Sequence, residues 1–227
     1  MSKKLFITGT GTDVGKTYIT GLILKKLWES GKNAAYYKAA MSGNVRDPDG
    51  RLIPGDALQV KTMSGIEQPL DSMCPYVYEA AVSPHLASRM EGNPVQLSLV
   101  RDTFQQVCCK YDYVTMEGSG GILCPLRFDE EKLLLDDLVK ELDLSSLIVA
   151  DAGLGTINSV VLTAKYMQAK GLAVKGIVFN NFHSGNVMEE DNRFMCEAMT
   201  GLKVLACVCS GDTELAMDAD AIAQLYE

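Results

Sequence analysis

No stretch of this sequence approaches the roughly 18 uninterrupted apolar residues that a membrane-spanning helix needs. The opening residues MSKKLFITGTG carry neither the long apolar run nor the cleavage site of a secretory signal. A cytoplasmic protein without a membrane partner is therefore expected. Positive charge is in deficit: 21 Lys and Arg stand against 29 Asp and Glu, a formal net charge of −8. That balance disfavours a general attraction to nucleic acid or anionic lipid, so any anionic ligand has to be captured by a local positive site. Histidine is scarce, with only His85 and His183. The seven cysteines, at 74, 108, 109, 124, 196, 207 and 209, are odd in number and form no CxxC pair. This pattern argues against a disulfide framework and a zinc finger and leaves free thiols. Cys207 and Cys209 alternate along an apolar run, but neither histidine is near them in sequence to complete a metal set.

What is present is ordinary globular composition, 47% hydrophobic and 22% charged, which excludes disordered, collagen-like and coiled-coil classes. At about 150 residues per domain, 227 residues without a linker, repeat or low-complexity tract read as one domain, 1–227. Short apolar runs recur at KLFIT (4–8), NAAYYKAA (33–40), YDYVTME (111–117), SLIVAD (146–151), VKGIVFN (174–180) and KVLACV (203–208). Between them lie helical patterns: TYITGLILKKLWES (17–30), VQLSLVRDTFQQVCCKY (95–111), INSVVLTAKYMQAK (157–170) and VMEEDNRFMCEAM (187–199). Strands apolar on both faces, alternating with helices long enough to cross over a sheet, predict a three-layer α/β fold: a mostly parallel sheet of roughly seven strands with helices on both faces. The polar segment 42–56 reads as a loop, and polar loops at the carboxyl ends of such strands are candidate sites.

The first of those loops is GTGTDVGKT, Gly9 to Thr17. Gly9, Gly11 and Gly15 allow backbone to fold around an anion, and the N–H groups of the loop and helix start can point at phosphates. Lys16 neutralises them, and the Thr17 hydroxyl can coordinate magnesium. The spacing is one residue longer than G-x-x-x-x-G-K-[ST], and the loop lacks the lysine after its first glycine that marks partition and septum-positioning ATPases.

With YYKAAMSG (36–43) and MEGSGGILCPL (116–126), and weaker matches at GDAL (55–58), SPHLAS (83–88) and LGTINSVVLT (154–163), this loop makes the sequence resemble the dethiobiotin synthetase family over most of its length. That family has the phosphate-loop NTPase fold. The resemblance implies an ATP site at Gly11, Thr12, Asp13, Val14, Gly15, Lys16, Thr17 and Tyr18, with Asn180 reading the adenine. It implies catalytic lysines at Lys38 and Lys16 and magnesium ligands at Thr17, Asp56 and Glu117. It also implies substrate contacts at Thr12, Lys38, Ser42 and Gly118, and at Thr156, Ile157 and Asn158 of a neighbouring subunit in a homodimer. Read as residues alone, Lys38 is a strand-terminal lysine and Asp56 an N-cap candidate. Thr156 is an ordinary helix cap candidate, and His85 has no catalytic reading. The chain departs from the family pattern at Ala39, where proline is usual, at Phe194, where a tyrosine is expected, and at CVCSGDTEL (207–215).

The implied reaction joins carbon dioxide to 7,8-diaminopelargonic acid as a carbamate. ATP phosphorylates that carbamate, and the second amine closes the ring with loss of phosphate, giving dethiobiotin. Such phosphoryl transfer needs chiefly positioning and charge neutralisation. Two other readings share the phosphate loop. An amidoligase of the cobyrinic acid diamide synthase type needs a glutamine-hydrolysing domain for which 227 residues leave no room. A partition-type ATPase switch is disfavoured by the net charge and the missing second loop lysine.

Overall fold

Alternation of side chains across each strand organises this protein. The structure, a computed structural model, describes residues 2–227. Its central sheet contains β1 (Lys3–Gly9), β2 (Ala34–Lys38), β3 (Tyr113–Gly121), β4 (Ser146–Asp151), β5 (Val174–Asn180) and β6 (Val204–Cys207). Their spatial order is β6-β5-β4-β1-β3-β2, and every neighbouring pair is parallel. Each of the six apolar runs became one of these strands. Among the described residues no seventh joined them, because the chain beyond β6 turns into a loop and a short helix that packs back on the sheet.

Parallel strands need crossovers, and the helices supply them on both faces. Leu5, Ile7, Tyr36, Leu147 and Val178 point to a core built with α1 (Lys16–Glu29), α2 (Gly55–Ser64) and α8 (Ala219–Ala223). Their strand neighbours Phe6, Tyr37, Ile148, Ile177 and Phe179 point to the opposite core, built with α3 (Pro84–Met90), α4 (Leu97–Cys108), α5 (Leu135–Glu141), α6 (Thr156–Ala169) and α7 (Val187–Thr200). At about 25 cal/mol per Å² of apolar surface removed from water, these two cores are the main favourable contribution to folding. Among the described residues no helix is long and apolar enough to cross a membrane.

The segment 42–56 is more ordered than its polarity suggests. Val45–Arg46 pairs antiparallel with Leu52–Ile53, and the turn between them is held by Asp47, whose carboxylate accepts N–H bonds from Asp49 and Arg51. Two further two-stranded pieces, Ala40–Met41 with Tyr76–Val77 and Pro125–Phe128 with Lys132–Leu134, continue the polypeptide beyond the carboxyl ends of β2 and β3.

Candidate active site

The loop after β1 is shaped by steric exclusion. A Cβ on Gly9 would lie 2.8 Å from Val14 Cγ2 and 2.9 Å from the Gly11 carbonyl oxygen. Gly15 has φ of 92°, and a Cβ there would lie 2.1 Å from Asn180 Nδ2. Only glycine fits at a left-handed position pressed that closely from behind. Asn180, at the end of β5, donates to the Val14 carbonyl at 3.2 Å, so it buttresses the loop. No side chain caps the start of α1, which leaves helix-start N–H groups for an anion. Lys16 lies over the loop and donates to the Gly11 carbonyl at 2.9 Å. Burial, with the nearby charge of Lys38, lowers its pKa, against the opposing pull of Glu117 and Asp56.

Strand register supplies the next pair. Lys38 and Glu117 are direct partners across β2 and β3, and Lys38 Nζ donates to Glu117 Oε1 at 2.8 Å. The same ammonium donates to Asp56 Oδ2 at 2.6 Å, and the Thr17 hydroxyl donates to Glu117 Oε1 at 2.9 Å. Glu117 is 1% exposed and Lys38 5%. Burial alone would lower the lysine's pKa, but the facing Glu117 and Asp56 carboxylates outweigh it and raise the pKa above its ordinary 10.5. Asp56 is not a cap: it sits in the first turn of α2 behind Pro54 at the N-cap, and its carboxylate is turned to Lys38.

Asp56 and Glu117 thus bracket one cation, the Lys38 ammonium, and the Thr17 hydroxyl shares Glu117 Oε1 with it. A hydroxyl and two carboxylates gathered in this way are the hard oxygen donors that magnesium takes, with phosphate oxygens and water able to complete its shell. Among the described residues no three of His, Cys, Asp and Glu gather into a metal cage.

These residues line a cleft of about 800 Å³ outside the carboxyl ends of the strands. Thr12, Asp13, Gly15, Lys16, Thr17 and Tyr18 form one wall, and Lys38, Ser42, Asp56 and Glu117 complete the polar floor. Gly11 and Val14 belong to the same loop but are not among the residues that line the cleft. Gly118 lies in the core, where a Cβ would meet Phe6 and Leu135 at 2.8 Å. Packing requires that glycine, and its successors Ser119 and Gly120 reach the cleft instead.

Thr156, Ile157 and Asn158, at the start of α6, are not among the residues lining this cleft. Thr156 is 5% exposed and its hydroxyl has no hydrogen-bond partner within the chain. The cap position is held by Gly155 at φ of 92°. Asn192 of α7 fixes the preceding turn by donating to the carbonyls of Ala152 and Gly153 at 2.9 and 3.1 Å. Around this turn Leu154, Leu162, Val187 and Phe194 are left exposed.

Sequence reasoning missed several cleft residues. Gln59, Ala81 and Val82 line it with no local signal, while Ser83 and Pro84 lie within the SPHLAS match. Tyr18 also ties α1 to the carbonyl of Asp212, in the loop after β6. Tyr36, beneath the cleft, donates its hydroxyl to Glu117 Oε2 at 3.2 Å. Burial, reinforced by the Glu117 charge, raises this phenol well above its ordinary pKa, so it keeps its proton.

Comparison with known proteins places this geometry. The sequence profile of an AAA domain family matches residues 3–212. The ATP-dependent dethiobiotin synthetase BioD of Brachyspira hyodysenteriae is 46% identical over 228 residues, covering all of both chains. That of Clostridium novyi is 46% identical over 209 residues, covering 92% of this chain and 87% of the relative. Among solved structures, the septum site-determining protein MinD of Pyrococcus horikoshii superposes with a TM-score of 0.57 at 13% identity, covering 92% of this chain and 82% of that one. A ParA family ATPase of Chlorobium tepidum gives 0.55 at 14%, covering 99% and 87%. The latter two share the α/β fold only. The full-length sequence matches decide between the enzyme and switch readings: this chain belongs to the ATP-dependent dethiobiotin synthetase family.

Proposed function

We propose that this protein is an ATP- and magnesium-dependent cyclo-ligase that converts 7,8-diaminopelargonic acid and carbon dioxide to dethiobiotin, with ADP and phosphate as the other products. The observation that carries the reading is the convergence of Lys16, Thr17, Lys38, Asp56 and Glu117 on one cleft beside an uncapped helix start. The loop N–H groups of 11–17 and Lys16 hold the ATP phosphates, and Asn180 supports the loop on the nucleotide side. Thr17, Asp56 and Glu117 would hold magnesium, which, when bound, neutralises phosphate charge and orients the γ-phosphoryl group.

Lys38 offers its ammonium to the carbamate and to the oxygens of the transferring phosphoryl group, stabilising charge as it shifts between them. Its raised pKa keeps it protonated for that role. Carbamate oxygen attacks the γ-phosphorus and ADP leaves. The free amine then attacks the carbamoyl carbon, closing the ring and expelling phosphate. No side chain serves as a nucleophile. Thr12 and Ser42 lie in the same cleft and are suited to contact the diamine end.

The substrate's carboxylate tail is held by the start of α6 from a second copy of the chain, at Thr156, Ile157 and Asn158. The buried, unpartnered Thr156 hydroxyl and the exposed Leu154, Leu162, Val187 and Phe194 support a homodimer that covers this region. The reading places the protein in the cytoplasm. Product analysis after mixing the protein with magnesium-ATP, bicarbonate and 7,8-diaminopelargonate tests it. The cyclic urea is expected, and ATP hydrolysis that requires DNA, lipid or glutamine instead would overturn it.

A further inference from the structure

The two oxygens of Glu117 are divided between two environments. Oε1 faces the cleft and accepts from Thr17 and Lys38. Oε2 faces inward and accepts from the Tyr36 hydroxyl. Tyr36 is fully buried and plays no part in the chemistry set out above. It stands two residues before Lys38 on the same face of β2, so the strand that delivers the lysine to one side of the carboxylate delivers the phenol to the other.

The tyrosine's backbone is also fixed. β2 is an edge strand, and its outward N–H and C=O at residue 36 have no neighbouring strand to bond. Gln68 fills that gap: its Oε1 accepts the Tyr36 N–H at 2.8 Å, and its Nε2 donates to the Tyr36 carbonyl at 3.0 Å. Gln68 is itself 1% exposed, and its Nε2 also donates to Ser72 Oγ at 3.1 Å. One side-chain amide thus stands in for a missing strand at the residue whose hydroxyl holds Glu117.

We propose that Tyr36 is a positioning residue: its hydroxyl, anchored through Gln68, pins Glu117 so that a single oxygen faces the site where Thr17, Asp56 and Lys38 meet. Without it, the buried Oε2 has no partner, and a carboxylate in that position turns to satisfy both oxygens. The cleft offers the Lys38 and Thr17 donors that Glu117 already meets, so the carboxylate closes on Lys38 and presents less well to a metal. This inference rests on the reading of Glu117 as a magnesium ligand.

The test measures binding of a non-hydrolysable ATP analogue, adenylyl-imidodiphosphate, across a magnesium titration and in excess chelator. The proteins are the parent, Tyr36→Phe, Glu117→Ala and the double variant. Tyr36→Phe is expected to leave chelator-phase affinity within twofold and to raise the magnesium midpoint about tenfold, the worth of one well-placed hydrogen bond to a charged group. In the Glu117→Ala background it should shift nothing further, since it acts through that carboxylate. An unchanged midpoint in folded Tyr36→Phe overturns the proposal, as does an equal loss with and without magnesium, or an additive effect in the double variant. If Tyr36→Phe does not fold, Gln68→Ala replaces it, with a smaller shift in the same direction expected and no shift overturning the idea. If Glu117→Ala itself leaves the midpoint unmoved, the magnesium reading of Glu117 is what has failed. A shift there, with none in Tyr36→Phe, removes the Tyr36 proposal alone.

Discussion

At the cleft, Lys38 is bracketed by Asp56 and Glu117, Thr17 leans on the same carboxylate, and Lys16 rests on a loop carbonyl. At the start of α6, by contrast, the Thr156 hydroxyl is buried without a partner and Leu154, at 92% the most exposed large apolar residue among those described, projects from the turn beside it. The first region satisfies its charges inside one chain. The second satisfies neither its polar nor its apolar groups, which is how a surface looks when something else completes it. Under the proposed function, the first is the half of the site built within one chain and the second is the half that a partner chain would complete.

The largest effect expected from breaking this contrast falls on the self-contained half. Lys38→Ala leaves Asp56 and Glu117 without their shared ammonium and removes the charge proposed to face the carbamate and the transferring phosphoryl group. Dethiobiotin formation should drop about a thousandfold, on the scale of one lost transition-state donor, as read from steady-state kcat. A loss below tenfold would mean that Lys38 is only an ion-pair partner.

Asp56→Asn is the sharper probe of the same cluster. It keeps an oxygen but loses the charge, so activity at limiting magnesium should fall roughly ten- to hundredfold and recover partly in excess magnesium. Thermal stability should fall by about 1 to 3 kcal/mol, because a charged partner of the buried Lys38 is lost while Glu117 remains beside it. Equal activity at limiting magnesium contradicts its assignment to the metal.

On the other half, Leu154→Glu and Leu162→Glu place charge on the exposed apolar face of the α6 region. Each should shift the protein toward monomer in sedimentation while leaving chelator-phase ATP analogue binding within about twofold. Both substitutions are on the surface, where folding costs are typically within about 0.5 kcal/mol. A variant that stays dimeric relieves this face of the role proposed for it.

The smallest expected effect is the response to pH, and it belongs to the buried half. Cys74, beneath Lys38, is pushed by burial up to about 12 from 9.0. An unfolded chain therefore loses this proton first, and the thiol's contribution to stability is present below pH 9 and declines as pH rises toward the folded value. Lys38, also raised, contributes fully below 10.5 and loses its contribution only above that. Urea unfolding should show stability flat in these groups from pH 7 to 9 and falling above it, by at most about 1.4 kcal/mol per pH unit for the thiol. Cys74→Ala should lessen that slope, and an unchanged slope would assign the alkaline loss elsewhere.

The sequence carried the layers well because each strand is apolar on both faces and each long helix repeats its apolar residues at helical spacing. The helices α3 and α5 and the ribbon at Val45–Arg46 escaped notice because they are short and owe their form to tertiary packing and to turn bonds such as those of Asp47. Of the site, the phosphate loop was readable because its glycines and Gly-Lys-Thr are contiguous. The contact of Lys38 with Glu117 was not, since it depends on the register of two strands 79 residues apart. Gly118 shows a different limit: the resemblance implies a substrate contact there, whereas what the fold shows is a glycine that Phe6 and Leu135 require for core packing. Tyr36 and Gln68 left no local signal, because a side chain standing in for a strand can come from any nearby loop.

Whether the site is shared between two chains is tested most directly by subunit complementation. Lys38→Ala disables the phosphate half, and Asn158→Asp sets a negative charge at the α6 start, where it repels a substrate carboxylate. Neither homodimer should form dethiobiotin well. After equal mixing and verified subunit exchange, about half the dimers are mixed and each has one site built from two intact halves, so activity should return to about one quarter of the parental rate. If both variants are folded, dimeric and demonstrably exchanged, and no activity returns, each site is contained within a single chain and the division of labour between the cleft and the α6 face is wrong.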